Sequence, residues 1–153
     1  MREVKFRGKR VDNGEWIYGS LVNNLFYNRY TKNPVNYILD NNVLGDFDCF
    51  HHLEEPIERN CRVVPETIGQ YTGLKDKNGQ EIYEGDIVKV IAPTADRYKA
   101  YLVQEHDGNL CMYHPDTQFN HPISSMYQDV KRGVTKFKVI GNKFENPDLL
   151  EVD

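Results

Sequence analysis

The chain opens on an alternation of apolar and polar positions. In REVKFRGKRV, Val4 and Phe6 fall on one side of an extended strand and Lys5 and Arg7 on the other; after Asn13-Gly14, Trp16 and Tyr18 alternate with Ile17. Successive side chains of a strand point to opposite faces, and Asn-Gly favours the positive φ angles of a tight hairpin turn. The pattern predicts a hairpin with strands near residues 2–10 and 15–22.

From residue 23 to about 60 the alternation weakens. The segment is rich in Asn and Asp and is punctuated by Pro34 and Pro56. Asn and Asp side chains satisfy nearby backbone groups and favour turns over long elements. Irregular connection is expected here, with short strands at Val35 to Leu39 and around Ile57 to Val64. After Pro65 the β character returns in YTGLKDKNGQEIYEGDIVKV, IVKVIAP, KAYLVQEHDGNLCMY and VTKFKVIGNKF, with Asn78-Gly79 and Asp107-Gly108 as turns. No segment sustains a helical period over eleven residues; PISSMYQDVK, residues 122–131, is the one candidate for a short helix.

Composition sharpens this into a fold class. Ten tyrosines and seven phenylalanines suit a pleated, half-buried surface, so the chain is read as mostly β. At 153 residues it can bury roughly two-thirds of its unfolded surface, enough for a core without metals or disulfides. The expected division is an N-terminal β-hairpin and irregular region, 1–64, packed against a second β region, 65–153. A net charge of −4 provides no global field to attract nucleic acid or an anionic membrane. No run approaches the ~20 apolar residues of a membrane span, and MREVKFRGKRV is not followed by an apolar stretch of signal-peptide length. With three cysteines, an odd number at irregular spacing, the expectation is a soluble protein with reduced thiols in a cytoplasm.

Candidate chemistry is then tested against spacing. A calcium loop of the EF-hand type needs oxygen ligands at its first, third and fifth positions and glycine at the sixth. Counting from Asp40, Leu44 takes the fifth place; counting from Asp76, glycine arrives two places early. Zinc would draw on Cys49, His51, His52 and Cys61, or on Cys111, His114 and His121, but only Cys111 and His114 have half of the usual paired spacing. G-x-S-x-G, the phosphate-binding loop and H-E-x-x-H do not occur, and Glu81, Glu84 and Asp86 read as solvated carboxylates beside a turn. No catalytic, cofactor or metal residues are therefore assigned. One cluster stays open: Lys89, Lys131, Arg132, Lys136 and Lys138, with Tyr98 and Tyr101 as aromatic neighbours, can form a small nucleic-acid-binding patch or the solvated side of two-faced strands.

Gly85-Asp86-Ile87-Val88 is the kind of turn that launches a strand in SH3-like barrels, with glycine relieving the bend and the aliphatic pair entering a small core. The longer string ETIGQYTGLKDKNG, residues 66–79, followed by Ile82-Tyr83-Glu84-Gly85-Asp86-Ile87-Val88, closely resembles the signature of the YopX family of phage and prophage proteins. Phe6-Arg7-Gly8-Lys9, Trp16-Ile17-Tyr18-Gly19, Val139-Ile140-Gly141-Asn142 and Phe144-Glu145-Asn146-Pro147 resemble that family's ends. The resemblance implies a β-rich fold with an SH3-like barrel in the C-terminal half, a gene carried by phages or prophages, and no established activity or site residues. Tyr71, Leu74, Ile82, Tyr83, Ile87 and Val88 are expected in or near the core. The functional expectation is a non-enzymatic protein-interaction module, a homo-oligomer with a host or phage protein partner and no membrane association. The alternative is a small nucleic-acid-binding regulator using the basic patch.

Overall fold

Residues 3–23, 36–40, 61–93 and 100–151 are described by a computed structural model of the chain. The chain divides into two units, Met1–Gln70 and Tyr71–Asp153.

In the first unit the predicted hairpin is β1 (Phe6–Lys9) and β2 (Trp16–Asn23), antiparallel in the register Phe6↔Gly19 to Lys9↔Trp16. Its connection is wider than the tight turn Asn13-Gly14 suggests. The Arg10 N–H donates to Glu15 O (2.9 Å) and the Gly14 N–H to Arg10 O (3.0 Å), leaving 11–14 as the loop, with Gly14 at φ 72°. Asn13 supplies the reason: its Oδ1 accepts the Glu15 N–H at 3.0 Å and its Nδ2 donates to the Glu15 carboxylate at 2.8 Å, bonds that compete with a shorter turn.

Strand β3 (Asn36–Leu39) lies beside β2, from Ser20↔Leu39 to Asn23↔Asn36, inside the predicted segment. Of the second predicted segment, residues 57–60 lie outside the described residues; Arg62 and Val63 form isolated bridges to Tyr37 and Arg10. A 3-10 turn, Pro65–Thr67, leads into β4 (Gly69–Lys75), whose first residues pair with β1. Tyr37, Ile38, Leu39, Cys61 and Val63 are buried. Burial does not follow polarity here: Val4, just before β1, is exposed, whereas Arg7 is buried, with its guanidinium carbon 4.6 Å from the centre of the Trp16 ring. A planar, weakly hydrated guanidinium stacked on indole can be buried where an ammonium would not be.

In the second unit β4 ends at Lys75 and is followed by β5 (Glu81–Tyr83), β6 (Asp86–Ile91), β7 (Ala100–His106), β8 (Asn109–His114), β9 (Phe119–Pro122), the helix α1 (Ile123–Lys131), β10 (Lys136–Asn142) and a 3-10 turn at Pro147–Leu150. All strand pairs are antiparallel, in the sheet orders β3–β2–β1–β4–β5 and β10–β6–β7–β8–β9. The protein is thus mostly β, as its composition predicts. Among the described residues the second sheet is open, with β10 and β9 outermost, and no helix is long and apolar enough to cross a membrane.

One face of this sheet is core. Val88 and Val90, Val103, Met112 and Phe137 alternate inward from their strands and join Leu74, Ile82 and Ile123. The predicted helix forms because Ile123, Met126 and Val130 recur at helical spacing and pack on that cluster. It stops at Gly133, at φ 74°, whose N–H donates to Val130 O. Tyr71, Leu74, Ile82, Tyr83, Ile87 and Val88 are all buried, as expected from the sequence.

The turns follow their residues. Asp107-Gly108 has φ 51° and 77°, the two-residue turn its sequence predicts. Asn78-Gly79 sits in a longer loop organised by Asp76, which is buried: Oδ1 accepts the N–H groups of Asn78 (2.7 Å) and Gln80 (3.0 Å), and Oδ2 accepts that of Val139 (3.3 Å). Asp86 corrects the solvated reading. It is 1% exposed and its Oδ2 accepts the Tyr83 N–H at 2.8 Å, so it is a structural acceptor that closes the β5–β6 turn. Gly85 in that turn has φ 87°, and a β-carbon there would stand 3.0 Å from the Phe144 ring. Gly85→Val is expected to lower stability by about 2 kcal/mol, from left-handed strain and crowding, when measured by urea melting. An unchanged midpoint would contradict this account of the turn.

Candidate functional site

The register of β6 and β10 decides where the predicted basic residues go. Lys138 stands directly opposite Lys89, and Lys136 opposite Ile91. Because Val88, Val90, Phe137 and Val139 face the core, Lys89, Lys136 and Lys138 share the other face of the two strands. Lys131 and Arg132 are elsewhere, exposed at the end of α1, where the Arg132 N–H closes the helix on Gln128 O at 3.0 Å. The fold therefore gathers three of the five predicted cations on one sheet face and puts two on a helix end. It also brings in a lysine the sequence reading missed. Lys77 is exposed, and its backbone N–H donates at 2.8 Å to the carbonyl of Phe137, the residue between Lys136 and Lys138. Only a long-range hydrogen bond places it there, and no local pattern signals such a bond.

At the opposite side of the same sheet, β9 is the outermost strand. Phe119 is 56% exposed on it and stacks edge-on with His121, ring centres 4.6 Å apart. His114 on β8 is buried beneath Tyr101, 5.0 Å away and also edge-on. Its Nδ1 accepts the Asp116 N–H at 3.1 Å, and its Nε2 is 3.6 Å from Asp116 Oδ2. Tyr101 also lies 6.3 Å from His121, so the four rings form one continuous group reaching the sheet edge. Tyr98, the other aromatic considered for the basic patch, lies outside the described residues.

The second cysteine–histidine group does not assemble as metal-ligand spacing would require. Cys111 and His114 are three apart on β8, and residues three apart on a strand point to opposite faces. Cys49, His51 and His52 lie outside the described residues, and among those described no three His, Cys, Asp or Glu side chains converge as metal ligands. Burial pushes the thiols of Cys61 and Cys111 up from their ordinary value, which keeps them protonated and poorly nucleophilic at neutral pH. Glu81 accepts a hydrogen bond from the Tyr83 hydroxyl at 2.6 Å.

Across this whole arrangement, from the start of the first hairpin to the last turn, the family model described as YopX protein matches residues 5–151. The chain belongs to the YopX family. It is also similar to a solved structure, protein EF1440 from Enterococcus faecalis, at 26% sequence identity over 99% of this chain and 100% of that one, with a TM-score of 0.49. A comparison with curated proteins finds no match. The strings that resemble the YopX signature are, in the fold, β4, β5, their loop and the turn into β6: Asp76, Gly85 and Asp86 hold those turns, and their neighbours fill the core. In this YopX chain the signature is thus occupied with building β4, β5 and their turns, and its residues Gly69 and Gln70 pair with β1 in the first unit.

Proposed function

We propose that this protein is a non-enzymatic interaction module of phage or prophage origin, working in the cytoplasm of the bacterial host, that binds protein and self-associates. The observation that carries the reading is the outer edge of β9, beside which no further strand lies among the described residues, with Phe119 exposed at its end. An unpaired edge offers a row of backbone donors and acceptors to another chain, and an exposed aromatic adds apolar area at the point of contact. The sequence supports the non-enzymatic reading through the motifs it lacks and through signature residues engaged in turns and core.

The second unit is read, within this proposal, as a partly open barrel of SH3-like type. Two features support that: the Gly85-Asp86-Ile87-Val88 turn into β6, whose partner β10 carries a register shift between Val139 and Gly141, and the bonding of β10's outer edge by the Asp76–Lys77 loop, which brings the end of β4 to the far side of the sheet. Small barrels of this class host many unrelated activities, so the architecture limits the function no further.

Sedimentation of the wild type at about 50 µM is expected to give a dimer, and Phe119→Asp a monomer that melts like the wild type diluted until its dimer dissociates. A wild type that stays monomeric at that concentration removes self-association from the proposal. Retrieval from host lysate of no protein that depends on Phe119 removes the protein-binding reading as well.

A further inference from the structure

The net charge of −4 hides a local reversal of sign. β6 and β10, DIVKVI and KFKVIGN, contain three lysines and a single acid, Asp86, which is buried and engaged with the Tyr83 N–H. Lys89 and Lys138 are directly cross-strand, Lys136 is two residues along the same face, and the exposed Lys77 is tied by its backbone to the same strand. Like charges directly opposite on a sheet repel, and among the described residues no ion pair or hydrogen bond engages the side chain of any of these four lysines. The carboxylate that meets the backbone of β10 at Val139, that of Asp76, is buried and held by three backbone N–H groups. The arrangement is destabilising on its own and becomes favourable when an anion lies across it.

We propose that this face binds the phosphodiester backbone of a nucleic acid, independently of base sequence. Lysines act as compact point charges that contact phosphate without the forked geometry that reads base edges. The acidic remainder of the chain favours a slender polymer over a plane of anionic lipid. At about 0.1 M salt a charge is felt over roughly 10 Å, so a strand crossing the patch senses the lysines, whereas a membrane faces the whole acidic surface. This inference uses a different face from the β9 edge and stands independently of it.

The test is fluorescence anisotropy with labelled single-stranded and duplex DNA at about 50 mM salt, repeated up to about 200 mM. With three or four lysines engaged, the log–log salt slope is expected near −2 to −4, and Lys136→Glu/Lys138→Glu should weaken binding at least about tenfold and reduce the slope by about two. The control is Lys131→Glu/Arg132→Glu, which makes the same change in net charge off the sheet face and is expected to leave most of the binding. The sheet-face variant keeps the fold, since a carboxylate at 138 faces Lys89 and replaces a repulsion by an attraction; its melting temperature is expected to be no lower than the wild type's and its sedimentation the same. Equal losses in the two double variants would show attraction by net charge alone and overturn the proposal. So would absence of any anisotropy change at low salt, or binding to phosphatidylserine vesicles without binding to DNA.

Discussion

Gly19→Ala is expected to cost about 3 to 5 kcal/mol, out of proportion to one added methyl group. A β-carbon at this position would lie 1.9 Å from the carbonyl oxygen of Leu39 and 2.6 Å from its carbonyl carbon. The obstruction is backbone, so no side chain can swing aside to admit it. Either β2 and β3 separate, losing the pairing from Ser20↔Leu39 onward, or both strands bend and leave gaps around Tyr37, Ile38 and Leu39, the buried centre of the first unit. Gly14→Ala supplies the comparison. Gly14 has φ 72° but nothing within 4 Å of a β-carbon, so its cost is confined to left-handed strain, about 1 kcal/mol. Urea melts of the two variants side by side check the distinction, and equal losses would show that close approach is not what position 19 requires.

Asp76→Ala is the second large effect, about 3 kcal/mol or more, because it strips the acceptor from three backbone N–H groups at once. Two of them, Asn78 and Gln80, shape the loop after β4; the third, Val139, is 63 residues further along the chain. Losing the carboxylate therefore loosens a turn and unfastens a strand edge in one step. Asp76→Asn keeps one oxygen as acceptor but presents an amide where the second N–H donor points, so it should recover part of the loss. If alanine and asparagine melt alike, the carboxylate is not acting as a two-sided acceptor. If neither differs from wild type, Asp76 does not fasten the edge.

These two residues also mark what the sequence made legible. Asp76 stands in a stretch whose glycines and aliphatics announce turns and strands, and Asp107-Gly108 forms the turn its residues dictate, because such preferences are local. The core of the second unit was readable for the same reason: alternation assigns Val88, Val90 and Phe137 to one side without reference to their partners. Pairing was not readable. Lys136 and Lys138 could be put on one face from spacing, but it takes the β6–β10 register to set Lys89 opposite Lys138, and register arises from contacts between strands about fifty residues apart. β9 escaped notice because Phe-Asn-His-Pro has no β-branched residue and a proline, and is a strand only by pairing with β8. The burial of Arg7 was not readable either, because the indole it stacks on comes from the neighbouring strand.

The fastening of β10 by Asp76 and Lys77 bears on how far this sheet could ever extend. A sheet with two bare margins can add neighbours at both and grow into a filament, each copy offering at one side what it consumes at the other. Here the Phe137 carbonyl and the Val139 N–H at one margin are already engaged by the chain's own loop. Among the described residues β9 is then the one margin of this sheet left uncovered, and a copy joined there about a two-fold axis, as proposed above, would use it up. Growth at the β10 margin would first require the loop to let go, so a carboxylate that reads as a turn residue would also stand in the way of fibres.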